Sequence, residues 1–91
     1  MADSNKFLVN YELTEHAKIR IIERKISLNW IQTTLSAPQR VEFDLKDPTL
    51  RHAFAVISEC DNRVLRVIYN GTTTPNKIVS VYFDRKLRGK L

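Results

Sequence analysis

Two strand-like runs meet at a polar pair in residues 51–70, RHAFAVISECDNRVLRVIYN. The runs, Arg51 to Cys60 and Arg63 to Asn70, are rich in Val, Ile, Ala and Phe, and Asp61-Asn62 between them tolerate the positive φ of a tight turn. The pattern predicts an antiparallel hairpin with a two-residue turn at 61 and 62. In that register Ile57 lies opposite Arg66.

This register assigns the side chains to two faces of a sheet, because alternate residues of a strand point to opposite sides. One face collects most of the bulky apolar side chains and is predicted to lie under helices. It comprises His52, Phe54, Val56, Ser58, Cys60, Leu65, Val67, Tyr69, Val79, Val81, Phe83, Val41, Phe43 and Leu45. The opposite face is predicted to be mixed and partly wet, and it carries Arg40, Glu42, Asp44, Arg51, Ala53, Ala55, Ile57, Glu59, Val64, Arg66, Ile68, Ile78, Ser80, Tyr82 and Asp84.

The residues on either side of the hairpin complete the predicted fold. Thr14 and Ser27 are capping residue types, and each precedes a segment with helical character, the second of which ends before Pro38. Further strands are predicted at 41–45 and 77–84. The sequence therefore predicts an α+β fold in which two N-terminal helices pack on one face of a four-stranded antiparallel sheet, with 11–13 as a candidate short edge strand.

Length and composition predict a single domain. The chain has 91 residues, 43% of them hydrophobic, which suits one core and is too few for two. We expect one domain over 1–91, with its core at about 11–84 and a basic tail at 85–91. No apolar run approaches the roughly 20 residues that cross a bilayer. With no recognisable signal segment and a lone cysteine, Cys60, we expect a cytoplasmic location and no membrane attachment.

The positive charge is concentrated at the C-terminus. The net charge is +5, yet residues 1–45 are balanced, and the last seven residues carry Arg85, Lys86, Arg88 and Lys90 without an acid. Two interpretations of this tail stay open: it solvates the chain end, or it binds phosphate groups.

A second basic feature lies on the first predicted helix. His16, Arg20 and Arg24 are four residues apart and form one stripe, whose donor groups suit an anion. The alternative is structural: Glu23 pairs with Arg20, Arg24 satisfies carbonyls at the helix end, and His16 is hydrogen-bonded beside the core.

The same helix carries a family resemblance. The pattern His16-Ala17-x-x-Arg20-x-x-x-Arg24-x-Ile26, followed by VLRVIY at 64–69 and IVSVY at 78–82, resembles an uncharacterised bacterial family marked by an HAxxRxxxRxI helix. That family is grouped with BrnT and with the RelE/ParE-like toxins, whose helices pack on one side of an antiparallel sheet. Its members often have Gly where this chain has Lys25, so we do not expect the left-handed helix cap that Gly permits.

The resemblance to RelE-like ribonucleases implies catalytic residues on the open sheet face. Those enzymes use Arg, Lys and Tyr side chains there, which points to Arg66 and Tyr82, with Arg85 or Lys86 reaching the edge of the face. A structural alternative is an ion pair between Arg66 and Glu59. The face as predicted carries four acids, Glu42, Asp44, Glu59 and Asp84, against three arginines, which disfavours phosphate.

Two functional hypotheses follow. The first is a toxin-like protein that acts on RNA or the translation machinery through Arg66, Tyr82 and the tail, with a small acidic partner protein as the resemblance implies. The second is a non-catalytic module that binds a protein or nucleic acid through His16, Arg20 and Arg24, or through Arg85, Lys86 and Arg88. No metal site or cofactor is expected, because the His and Cys spacing matches no zinc motif and two glycines form no phosphate loop.

Overall fold

One mixed sheet with two helices on one side makes up the computed structural model, which describes residues 9–91. The elements are β1 (Tyr11–Leu13), α1 (Glu15–Arg24), α2 (Leu28–Ser36), β2 (Arg40–Phe43), β3 (Leu50–Ile57), β4 (Arg63–Asn70) and β5 (Asn76–Phe83), with 3-10 turns at Ser58–Cys60 and Arg85–Leu87. Within this range no helix combines the length and apolar character that crossing a bilayer requires.

Both helices begin where capping chemistry predicts. The Ala17 N–H donates to the Thr14 hydroxyl at 3.1 Å, and the Asn29 N–H donates to the Ser27 hydroxyl at 3.1 Å. Each bond satisfies a backbone donor that a helix start leaves free.

The end of α1 differs from expectation. Lys25 adopts the left-handed conformation, with φ 54° and ψ 46°, although it is not glycine. Its N–H donates to the Ile22 carbonyl at 3.3 Å, while the Ile26 N–H donates to the Ile21 carbonyl at 3.0 Å. This pair of bonds is the Schellman motif, and it turns Ile26 into the core beside Ile21. Burial of Ile26 offsets the steric cost at Lys25.

The sheet has five strands in the order β1-β5-β4-β3-β2, and β1 runs parallel to β5. The prediction of four antiparallel strands is therefore wrong, although the edge strand at 11–13 is confirmed. The parallel pairing arises because β1 continues directly into α1, which packs across β5. The remaining neighbours are antiparallel, as predicted.

The predicted hairpin register is also wrong. Asp61 and Asn62 do have positive φ, at 56° and 55°, but the 3-10 turn at Ser58–Cys60 extends the connection on the β3 side. As a result Ile57 lies opposite Arg63, and Phe54 lies opposite Arg66. The shift is three residues, an odd number, so the side chains of β3 face the opposite side from the one predicted.

The core accordingly lies between the helices and a different set of β3 side chains. Ala53, Ala55 and Ile57 are buried on the helix side, whereas His52, Phe54 and Val56, predicted to lie in the core, share the open face with Arg66. The assignments of Leu65, Val67, Tyr69, Cys60, Val81 and Phe83 to the helix side are confirmed.

Two further core predictions are wrong, for different reasons. An irregularity in the pairing of β4 with β5 places Ile78 in the core in place of Val79. Val41 and Phe43 lie on the helix side, yet α1 packs on β5 and α2 on β3 and β4, so neither helix covers β2. Val41, Phe43 and the following Leu45 are consequently exposed.

Candidate nucleic-acid interface

A row of alternating cations and aromatic rings crosses the open face of the sheet. Arg40, Phe54, Arg66 and Tyr82 stand side by side on β2, β3, β4 and β5. The guanidinium carbons of Arg40 and Arg66 lie 5.0 and 4.6 Å from the Phe54 ring centre, and that of Arg66 lies 5.6 Å from the Tyr82 ring. Phe54 is fully buried. The two arginines therefore cover Phe54 on the face of the sheet opposite α1 and α2.

Arg66 and Tyr82, the two predicted catalytic residues, are brought into contact by this row. Arg66 Nη1 donates to the Tyr82 hydroxyl at 2.9 Å, and Arg66 Nη2 lies 3.0 Å from Asp84 Oδ2. The carboxylate partner is thus Asp84, and the expected pair with Glu59 is wrong because Glu59 belongs to the 3-10 turn. The Arg66 and Asp84 side chains are only 22% and 11% exposed. Arg66 is anchored before any ligand binds.

A group of five cationic side chains surrounds the C-terminal end of β5, and we call it the basic rim: Arg24, Arg63, Arg85, Lys86 and Arg88. They line three adjoining concavities of about 390, 450 and 490 Å³, each of which also includes Phe83.

The cations reach the rim from three parts of the chain: α1, β4 and the segment that follows β5. Arg24 projects from α1 and donates to the Val81 carbonyl at 2.8 Å. Arg63 is the first residue of β4, and its guanidinium carbon lies 4.2 Å from the Phe83 ring centre. Asp84 caps the final turn by accepting from the Lys86 N–H at 2.9 Å, which places Arg85 and Lys86 on the surface beside Tyr82. The predicted tail is therefore partly folded against the sheet.

Few acids offset the charge of the rim. Asp84 is engaged by Arg66, and Asp61 pairs with Arg88 at 2.6 Å. Within residues 9–91, no ion pair engages Arg24, Arg63, Arg85 or Lys86. The rim can therefore offer four uncompensated positive charges to an anion.

Most of the part of the chain that the structure describes matches a known protein family. Residues 13–83 match a domain of unknown function, DUF4258. The chain belongs to this family. No curated protein and no solved structure matches it significantly.

The helix stripe of this DUF4258 domain is divided among different contacts. His16 is exposed, and Arg20 Nη1 pairs with Glu23 Oε1 at 2.7 Å on the helix surface, as the structural alternative predicts. Arg24 does not satisfy carbonyls of its own helix; it bonds to β5 and joins the basic rim. His16 is not buried beside the core. Of the three predicted binding residues, only Arg24 lies with Arg85, Lys86 and Arg88.

The DUF4258 domain also carries an Asp–His pair that the sequence analysis missed. His52 Nε2 lies 2.7 Å from Asp44 Oδ1, and Asp44 Oδ2 accepts from the N–H groups of Lys46 and Asp47 at 3.0 and 2.9 Å. The His52 hydrogen bond, followed by those two backbone bonds, lowers the pKa of Asp44 to about 2. The carboxylate is therefore charged at neutral pH.

This pair lines a cavity of about 360 Å³ on the open face, which it shares with Arg66, Lys46, Glu42, Phe43 and Leu45. The prediction that His52 lies in the core is wrong because it depends on the wrong hairpin register. The polar Ser58-Glu59 directly after the apolar run 53–57 is the signal that could have ended β3 earlier. Residues 9–91 contain no group of three or more His, Cys, Asp or Glu side chains placed to hold a metal ion.

Proposed function

We propose that this domain binds single-stranded RNA at the basic rim and acts on RNA or the translation machinery in the manner of the toxins that its sequence resembles. The observation that carries the proposal is the set of cations around Tyr82 and Phe83, of which four have no acidic partner among residues 9–91. Cations track the phosphate backbone, and neighbouring aromatic rings suit unstacked bases.

The shape and the local chemistry of the basic rim suit single-stranded RNA better than a duplex. The rim comprises three adjoining concavities, to which α1 contributes a single side chain, Arg24, whereas proteins that read the major groove use several residues of one helix. Tyr82 and Phe83 are half-buried within the rim. A flexible strand can place successive phosphates and bases on such a surface.

The relation to BrnT and to RelE/ParE-like toxins is part of this proposal. Helices packed on one side of a mostly antiparallel sheet support it. It implies a cytoplasmic protein whose partners are RNA or the ribosome, and a small acidic partner protein that would mask the rim by charge complementarity. Induced expression in bacteria should then slow translation. Unchanged growth while the folded protein accumulates would contradict a toxin role and leave RNA binding standing.

A second candidate is a non-catalytic binding module. The contacts of Arg66 favour it, because both terminal nitrogens of that guanidinium are already bonded, to Tyr82 and Asp84. In this version the basic rim binds nucleic acid and the row across the sheet is structural.

The salt dependence of RNA binding tests the proposal. Each phosphate contact on a single strand contributes about −0.7 to the slope of log affinity against log salt concentration. Replacing both Arg85 and Lys86 with alanine should therefore flatten the slope by about 1.4. Both side chains are exposed, so the folded state should be little changed.

A matched control removes two positive charges elsewhere. Lys18 on α1 and Lys77 at the start of β5 are also exposed, and replacing both with alanine gives the same net charge. The control variant should keep the wild-type slope. Equal flattening in both variants would show that only net charge matters, and a wild-type protein without measurable RNA binding would refute the proposal.

A further inference from the structure

We propose that His52, oriented by Asp44, is the general base of a metal-independent RNA cleavage site on the open face of the sheet. This inference rests on the proposed RNA binding. The resemblance to RelE-like enzymes assigns Arg, Lys and Tyr side chains and does not include this pair. Three observations carry the inference: the geometry of the pair, the composition of its cavity, and the connection of that cavity to the basic rim.

The geometry leaves one nitrogen of His52, whose side chain is 13% exposed, without a hydrogen bond to another residue in 9–91. A charged carboxylate only accepts hydrogen bonds, so the hydrogen in the 2.7 Å contact with Asp44 lies on Nε2. In the neutral ring the lone pair is then on Nδ1, and no residue in 9–91 forms a hydrogen bond with Nδ1. The two backbone bonds to Asp44 fix the carboxylate, which in turn fixes the ring. This is the arrangement of an oriented base.

The cavity beside His52 has the other groups that the reaction needs. Lys46 is exposed and has no ion-pair partner among residues 9–91, so it can bind a phosphate oxygen. Glu42 is compensated by Arg40 at 2.9 Å and therefore repels phosphate less. Leu45, in the loop after β2, is 101% exposed and offers apolar surface to a nucleobase.

Arg66 connects this cavity to the basic rim, because it lines both the cavity with His52 and the concavity with Arg85 and Lys86. A strand whose phosphates lie on the rim can therefore continue past Arg66 to His52. The rim supplies affinity, and the Asp–His cavity supplies the chemistry.

The reaction is an internal transesterification. His52 Nδ1 accepts the proton of a ribose 2′-hydroxyl, the 2′ oxygen forms a bond to the adjacent phosphorus, and the bond from phosphorus to the 5′ oxygen breaks. The leaving 5′ oxygen takes a proton from water, and the resulting hydroxide takes the proton from His52. The products are a 2′,3′-cyclic phosphate and a 5′-hydroxyl, and no metal or co-reactant other than water is consumed.

The test uses the full chain with a short labelled single-stranded RNA and, in parallel, single-stranded DNA of the same sequence. The protein should bind both and cleave only RNA, because DNA lacks the 2′-hydroxyl. His52→Gln keeps an amide donor for Asp44 but lacks the base, so it should reduce the cleavage rate by about 10²–10⁴-fold with an unchanged Kd. Thermal unfolding checks that the variant is folded.

Asp44→Asn tests the positioning role of Asp44. Asparagine keeps an acceptor oxygen for the Lys46 and Asp47 N–H groups, so the turn can persist, but the charge that orients His52 is lost. It should lower kcat and leave KM unchanged, a separation that a merely structural role would not produce.

Binding and cleavage outcomes separate this inference from the proposed function. RNA binding without cleavage, or equal cleavage by wild type and His52→Gln, would overturn the inference and leave RNA binding at the rim intact. Absence of both binding and cleavage would refute both.

Discussion

Replacing Arg66 with methionine should destabilise the fold because it leaves Asp84 without its partner. Methionine is long and apolar enough to keep much of the Phe54 ring covered. It cannot pair with Asp84, whose side chain is only 11% exposed, nor donate to the Tyr82 hydroxyl. The main loss is therefore electrostatic, since an acid remains partly buried and uncompensated.

The expected loss is about 2–4 kcal/mol in the free energy of unfolding. Hydrogen bonds to charged groups contribute about 1.5–3 kcal/mol, and the contacts with Phe54 and Tyr82 add about 0.5–1 kcal/mol. In a domain of this size 1 kcal/mol corresponds to about 4–8 °C in Tm, so we expect a decrease of about 8–32 °C. Adding Asp84→Asn should recover about 1–3 kcal/mol.

A double-mutant cycle by urea unfolding measures this coupling between Arg66 and Asp84. The matched control is Arg20 with Glu23, at 2.7 Å but with side chains 37% and 54% exposed. Neutralising Arg20 and Glu23 in the same way should give a coupling between these two residues of about 0.5 kcal/mol or less. Equal couplings in the two cycles, or a stable Arg66→Met variant, would refute the argument that Arg66 is held by its buried pair.

Two further predictions concern single residues outside that row. Lys25→Gly should raise the free energy of unfolding by about 0.5–1 kcal/mol, because it removes a left-handed strain of about 1–2 kcal/mol at an entropic cost of about 0.5–1 kcal/mol. Lys25→Ala keeps the Cβ and should show no comparable gain in Tm. Equal Tm values for Lys25→Gly and Lys25→Ala would contradict the strain at residue 25. The lowered pKa of Asp44, about 2 against about 4 unfolded, makes its stabilisation complete above about pH 5 and lost as the pH falls towards 2. The stability difference between wild type and Asp44→Asn should therefore shrink over that interval, and a constant difference would contradict stabilisation of the Asp44 carboxylate by its hydrogen bonds with His52 and the backbone.

The helices were predictable because their signals are local. Thr14 and Ser27 satisfy backbone groups within three residues of themselves, and no tertiary contact is needed to recognise them. Lys25 was predicted wrongly because its conformation depends on burying Ile26, a tertiary gain that outweighs the local preference for glycine.

The faces of the sheet depended on one turn. The positive φ of Asp61 and Asn62 was predictable, but the 3-10 turn at Ser58–Cys60 was not, and that turn determines which side of β3 meets the helices. This one turn therefore places both His52 and Phe54 on the opposite face of the sheet from the one predicted. The parallel pairing of β1 with β5 joins segments more than sixty residues apart, and no local pattern specifies it.

The candidate site was predicted in part. The resemblance points to Arg66 and Tyr82, and the pairing of β4 with β5 brings them into contact. The basic tail was visible in composition, but its position beside Arg24 and Arg63 depends on the cap that Asp84 provides and on long-range packing. The Asp44–His52 pair could not be found while His52 was assigned to the core.

Mapping the RNA-binding surface by NMR tests the central claim most directly. Titration of the isotope-labelled protein with a short single-stranded RNA should shift the amide signals of residues 82–86 and of Arg63, which surround the basic rim, and the shifts should diminish as salt is raised. The outer surface of α1 around Ile19 and Ile22 should be unaffected. Shifts centred on α1, or on Arg40, Phe54 and Arg66 with none at 82–86, would contradict RNA binding at the basic rim.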